Sequence, residues 1–141
     1  MSVFLSCFFL VSLEVSPKRV RRHSEMACQA IAKRASAEGL DPHLMISIAY
    51  EESRFRAHRV SRVGAAGPMQ VLPQYWCPRG RVKGCDLVGA GFKAFRAWRT
   101  RSSGVREALC KYNAGKRCGP LGWAYADSVL AKRRAIRSLL F

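Results

Sequence analysis

Residues 43–53, HLMISIAYEES, are apolar on nearly every face, the pattern of a helix buried on most sides. At about 100° per residue, Leu44, Met45, Ile48 and Ala49 share one face. Glu52 falls on that same face, seven, four and three residues after Met45, Ile48 and Ala49. Glu51 points roughly 100° away. One carboxylate therefore sits among greasy side chains at the C-terminal end of a buried helix. Desolvation and the negative end of the helix dipole both penalise its charged form. A carboxylic acid that keeps its proton near neutral pH is the general acid that glycosidic cleavage requires. Helix geometry alone leaves a second reading equally open, in which Glu52 pairs with Arg54, Arg56 or Arg59 and stays ionised.

The residues that follow separate the two readings. Glu52-Ser53-Arg54-Phe55 leads to the stretch from Ser61 to Pro73, SRVGAAGPMQVLP. Ser61 lies nine residues after Glu52 and Gln70 eighteen. A second block, Ala108 to Gly115, reads ALCKYNAG, and a third, Tyr125 to Leu130, reads YADSVL. Together these blocks resemble the Slt-type lytic transglycosylases of the lysozyme-like superfamily. That family's patterns are E-S-x-F, S-x-x-G-A-x-G-x-M-Q-x-x-P, A-x-x-x-Y-N-A-G and Y-x-x-x-V-L. The resemblance covers most of residues 45–130. The chain departs from the pattern at Lys116-Arg117-Cys118-Gly119-Pro120, where a glycine-rich continuation is usual, and in the Cys-flanked segment 77–85.

The resemblance implies a lysozyme-like (goose-type) helical fold and cleavage of the β-1,4 bond between N-acetylmuramic acid and N-acetylglucosamine in peptidoglycan. Glu52 would be the single catalytic acid and then base, with the muramoyl 6-hydroxyl as nucleophile, a 1,6-anhydro product and no water consumed. Ser61 and Gln70 match residues that hydrogen-bond the sugar near the cleaved bond, and Met69 matches an apolar cleft contact. Tyr112 matches a tyrosine that orients the catalytic acid, Asn113 shares its block, and Tyr125 matches a second cleft tyrosine. No metal or cofactor is implied. Small single-domain members serve wall turnover, secretion or conjugation machinery, or phage entry and lysis. A retaining hydrolase of the same bond is the nearest alternative and wants a second carboxylate about 5 Å from the first. Asp86, Glu107 and Asp127 are the carboxylates that follow, and none lies in the loop directly after the catalytic helix.

The elements that must position these residues are mainly helical. Ser24 to Glu38 has Ala27, Ala30, Ile31 and Ala35 at helical spacing and Gly39 as its stop. Asp41-Pro42 restarts a helix, Asp as cap and Pro in the first position. Residues 87–99, 104–113 and 121–139 read as further helices, with a small irregular β element expected near 54–75. The β-branched runs that a sheet needs are absent.

The 141-residue chain is one domain's worth of sequence, with residues 24–141 expected to form it. Residues 1–23 read as an apolar export signal or membrane-contacting anchor plus a basic linker. The apolar run Val3–Leu13 is far shorter than the about 20 residues a spanning helix needs. Cys77/Cys85 and Cys110/Cys118 form two close pairs, the framework of an exported small domain stapled at its loops. Four cysteines allow three connectivities, and pairing within each close pair is the favoured one. Cys7 would leave with a cleaved signal, and Cys28, in a helical pattern, is expected as a buried free thiol. No C-x-x-C occurs and the three histidines are not spaced as ligands, which argues against zinc.

Charge narrows the partners. The chain carries 25 Lys and Arg against 9 Asp and Glu, and residues 24–141 retain a net +13. An acidic solvating protein is excluded, and a polyanionic partner is favoured. Arg54, Arg56, Arg59 and Arg62 would flank the cleft, and Lys132, Arg133, Arg134 and Arg137 would decorate the last helix. A nucleic-acid binder or a membrane-active cationic protein would share that charge, but no specific nucleic-acid motif is present and neither accounts for the three blocks. The expected setting is exported, periplasmic or at the cell envelope, or phage-encoded and acting on the wall.

Overall fold

The computed structural model describes residues 2–139. Seven α-helices follow one another: α1 Ser2–Ser12, α2 Lys18–Ala37, α3 Pro42–Ser53, α4 Pro73–Trp76, α5 Leu87–Thr100, α6 Val105–Ala114 and α7 Pro120–Ser138. The β element expected near 54–75 is reduced to two isolated antiparallel bridges, Val60 with Ala66 and Ala66 with Val71.

Helix α3 is the centre of the molecule. Asp41 caps it, its Oδ1 accepting from the main-chain N–H of His43 at 3.0 Å and of Leu44 at 3.2 Å. Leu44 through Tyr50 are all buried, as their apolar character on every face requires. Helices α2 and α7 pack on either side of it, and α6 packs on α7. The α6–α7 contact is close because Gly122 has no side chain: a Cβ there would lie 2.7 Å from the Cys110 sulfur. The shared core runs through Met45, Ile48, Met69, Phe92, Leu109, Val129 and Ile136.

Helix α3 ends abruptly. Arg54 and Phe55 both adopt left-handed backbone, with φ of 55° and 64°. Non-glycine residues pay for that conformation and hold it only where the surroundings enforce it. Ser53 supplies part of the enforcement: its hydroxyl donates to the Pro68 carbonyl at 2.8 Å and fastens the following loop to the helix end.

The pairings Cys77–Cys85 and Cys110–Cys118 occur as expected. Cys28 corrects the sequence expectation: it is buried but not free, and pairs with Cys7. The cause is α1, which folds back onto α2 and α3 and buries Cys7, Leu10 and Val11. Helix α2 likewise begins at Lys18, directly after Pro17, and not at Ser24. No helix among the described residues is long and apolar enough to cross a membrane.

Candidate active site

A cleft of about 880 Å³ opens beside the C-terminal end of α3. Its volume lies toward the upper end of the roughly 300–1,000 Å³ that small-ligand sites occupy. One wall is the loop after α3, with Arg59, Ser61, Val63 and Gln70. A second is α6 and α7, with Tyr112, Asn113, Leu121, Tyr125 and Ser128, and a third carries Tyr75, Trp76 and Trp98 from α4 and α5. Glu51 and Glu52 both face this space.

Burial pushes the Glu52 carboxyl up to about 8 and the neighbouring Glu51 charge adds to the rise, while Tyr125 and Arg59 oppose it. Among the described residues, the competing ion-pair reading of Glu52 finds no salt-bridge partner. Arg54 is drawn away to Glu14 at 3.1 Å and to Glu51 at 3.7 Å. Arg59 donates to the main-chain carbonyl of Glu52 at 2.9 Å, and no ion pair joins its guanidinium to the carboxylate. The downstream carboxylates are engaged elsewhere: Asp86 with Arg34, Glu107 with Lys111 and Asp127 with Arg106. None of the three lines the cleft.

Six of the seven residues singled out from sequence line this one space: Glu52, Ser61, Gln70, Tyr112, Asn113 and Tyr125. Met69 does not. Its side chain is completely buried beside Gly91, and it reaches the site through its main chain, whose carbonyl accepts a 2.6 Å hydrogen bond from the Tyr112 hydroxyl. Gln70 has left-handed backbone (φ 51°), which turns its side chain inward. Its amide nitrogen donates to the carbonyls of Arg59 at 3.0 Å and Gly67 at 2.9 Å, leaving the amide oxygen as an acceptor for a ligand. The Ser61 hydroxyl accepts from the Ala65 N–H at 3.1 Å and keeps its own proton to donate.

The two tyrosines differ in their ties. Burial pushes both phenols well above their usual range, and the nearby Glu52 carboxylate adds to it. Tyr112 is committed to Met69. The Tyr125 hydroxyl makes no well-aligned hydrogen bond among the described residues, yet lies near enough to Glu52 to favour the ionised carboxylate.

A family model described as "Transglycosylase SLT domain" matches residues 29–119. The chain belongs to this family. No curated protein and no solved structure matches it. The SLT domain is a lysozyme-like helical fold, as the resemblance implied, and membership points to an enzyme that cleaves glycosidic bonds in peptidoglycan. Such an enzyme works on the cell wall, and three disulfides fit an extracytoplasmic protein. Tyr125 lies beyond the matched segment, so its place in this SLT domain rests on geometry.

Sequence reading missed Glu51, Ser128 and the aromatic wall of Tyr75, Trp76 and Trp98. Ser128 was detectable, since it follows Tyr125 by three residues on one helix face. Three of the four basic residues expected to decorate the last helix are held in ion pairs, Arg134 being the exception among the described residues. Lys132 pairs with Glu51 at 2.9 Å, and Arg133 and Arg137 pair with Asp41 at 3.5 and 2.8 Å. Those charges lock α7 to the two ends of α3.

Proposed function

We infer that this SLT domain is a lytic transglycosylase, cutting the N-acetylmuramoyl-β-1,4-N-acetylglucosamine bond without water. The observation that carries the reading is a single carboxyl, Glu52, holding its proton to about 8 in a cleft where no ion pair neutralises it. Glu52 gives that proton to the glycosidic oxygen as the C1–O bond breaks. The resulting carboxylate, steadied by Tyr125, then takes the proton of the muramoyl 6-hydroxyl as that oxygen bonds to C1. The proton returns to Glu52, and the chain end is a 1,6-anhydro sugar. Ser61 as donor and the Gln70 amide oxygen as acceptor hold the sugar at the cleaved bond. Asn113 extends that polar edge, and Tyr112 fixes the Met69–Gln70 turn against α6.

Clearing of purified wall by wild type and by Glu52→Gln tests the enzyme reading, and equal clearing by both removes it. Mass spectrometry of the products separates the chemistries, because hydrolysis leaves fragments heavier by one water. Residues 24–141 are proposed as the catalytic domain, with residues 1–23 as its export signal or anchor. The Cys7–Cys28 disulfide and the burial of Leu10 favour a retained anchor. Thiol titration of the exported, unfolded protein tests this: retention leaves no free cysteine, and cleavage after α1 leaves the thiol of Cys28.

A further inference from the structure

Glu51 is a carboxylate in the cleft wall for which the proposed chemistry has no use, and three groups converge on it, two from α7 and one from the residue that ends α3. Ser128 donates to its Oε1, Lys132 Nζ lies 2.9 Å from its Oε2, and Arg54 approaches at 3.7 Å. Its side chain is only 17% exposed. Lys132 also donates to Ser128 at 3.2 Å, which closes the triangle. Both cations lie over the Tyr50 ring, Arg54 at 4.2 Å and Lys132 at 5.4 Å. Tyr125, Ser128 and Lys132 are three and four residues apart, so they share one face of α7. The clamp at Glu51 therefore grips the very face that presents Tyr125 to Glu52.

We propose that Glu51 is a positioning residue, clamping α7 through Ser128 and Lys132 so that Tyr125 meets Glu52, and placing its own carboxylate beside the catalytic carboxyl. The proposal rests on Glu52 being the acid. The charged and titratable groups around the pair are Tyr50 from α3, Arg59 from the loop, Tyr112 from α6, Tyr125 and Lys132 from α7, and Arg54, which is shared with Glu14 ahead of α2. Removing the Glu51 charge relieves repulsion on ionised Glu52 and leaves Lys132 and Arg54 uncompensated. Both effects ease ionisation of Glu52. Removing the Lys132 charge does the opposite, because Glu51 then faces Glu52 with less neutralisation.

The test uses the full, oxidised chain as wild type, Glu51→Gln and Lys132→Met. Carboxyl-carbon NMR follows the titration of Glu52, and wall clearing is measured across pH. In Glu51→Gln the Glu52 midpoint falls by roughly one pH unit, and clearing at pH 8 falls about fivefold, as the protonated fraction does. In Lys132→Met the midpoint rises, while the maximal rate drops because Tyr125 is no longer held. A merely structural role would not move the two midpoints in opposite directions. Midpoints unchanged in both variants, or displaced the same way, overturn the proposal. Should Glu51→Gln fail to fold, Lys132→Met decides by itself: a rise upholds the clamp and its absence refutes it. Opposite shifts in a wild-type chain that clears no wall would leave the clamp standing and remove the transglycosylase reading instead.

Discussion

Replacing Glu52 by Gln should make the protein more stable at neutral pH, and by an amount that depends on pH. In the folded chain the Glu52 carboxyl is pushed up to about 8, against 4.5 for the same group in water. Between those two values the folded state keeps a proton that the unfolded state has released. The unfolded state then binds fewer protons, so stability falls as pH rises through that window, the reverse of an ion-paired carboxylate. Each pH unit contributes about 1.4 kcal/mol. From 4.5 to 7 the penalty is therefore on the order of 3 kcal/mol, and Gln does not suffer it because it cannot ionise. For a chain of this length that is a rise in Tm of roughly 10 °C. Thermal and urea melts of the two oxidised proteins at about pH 4 and pH 7 measure it. The variants should nearly coincide at pH 4, below both midpoints, and separate at pH 7. A difference of the same size at both pH values would refute the reasoning, since it would trace to packing. So would no difference at pH 7, since Glu52 would then titrate as it does in water.

Three further outcomes follow from the same geometry. Tyr112→Phe leaves the buried Met69 carbonyl without its donor, costing about 1–3 kcal/mol in a denaturant melt, and wall clearing should fall at least ~10-fold as the Gln70 turn loosens; wild-type values in both assays would contradict this. Gly91→Ala pushes a Cβ into the Met69 side chain and should destabilise by about 1–3 kcal/mol while weakening glycan binding, so an unchanged melt would show that the loop does not press on α5. Binding of Glu52→Gln to insoluble wall should weaken steadily from low salt to roughly 0.5 M, and a flat response would remove electrostatic attraction by the unpaired basic residues.

How far the sequence could be read depended on whether a feature is local. Helix α3 is legible because Asp41-Pro42 marks its start chemically and an unbroken apolar stretch marks its burial. The stapled loops are legible because each disulfide spans a sequence separation of only 8. Helix α4 is not, since four residues between Leu72 and Cys77 carry no periodicity and helix geometry there comes from the flanking proline and the packing of α5. Cys28 was misread because its partner lies 21 residues away on a segment expected to leave. Met69 was misread for a different reason. Its block shows that the residue belongs to the site, but a motif cannot say whether the side chain or the main chain does the work. Here the carbonyl reaches Tyr112 while the thioether packs in the core.

The hardest question in the sequence was how a carboxyl could stay neutral in a chain with 25 basic residues and 9 acidic ones. Scarcity of acidic groups favours the opposite outcome, since each carboxylate has many cations available. The fold answers it by allocation. Among the described residues, Glu14, Glu38, Asp41, Glu51, Asp86, Glu107 and Asp127 all hold ion pairs, while Glu52 in the cleft and Glu25 on α2 do not. The cations nearest to it in sequence are turned aside: Arg54 by Glu14 and Glu51, and Arg59 by the main-chain carbonyl of Glu52 itself. Glu51 is central to that arrangement, because it holds Arg54 and Lys132 on its own carboxylate and leaves its neighbour beside Tyr125. Burial is the main cause of the raised Glu52 carboxyl, and the companion carboxylate adds to it by its own charge and by holding cations away. A Glu51 variant that left Glu52 titrating as before would show burial alone to be sufficient.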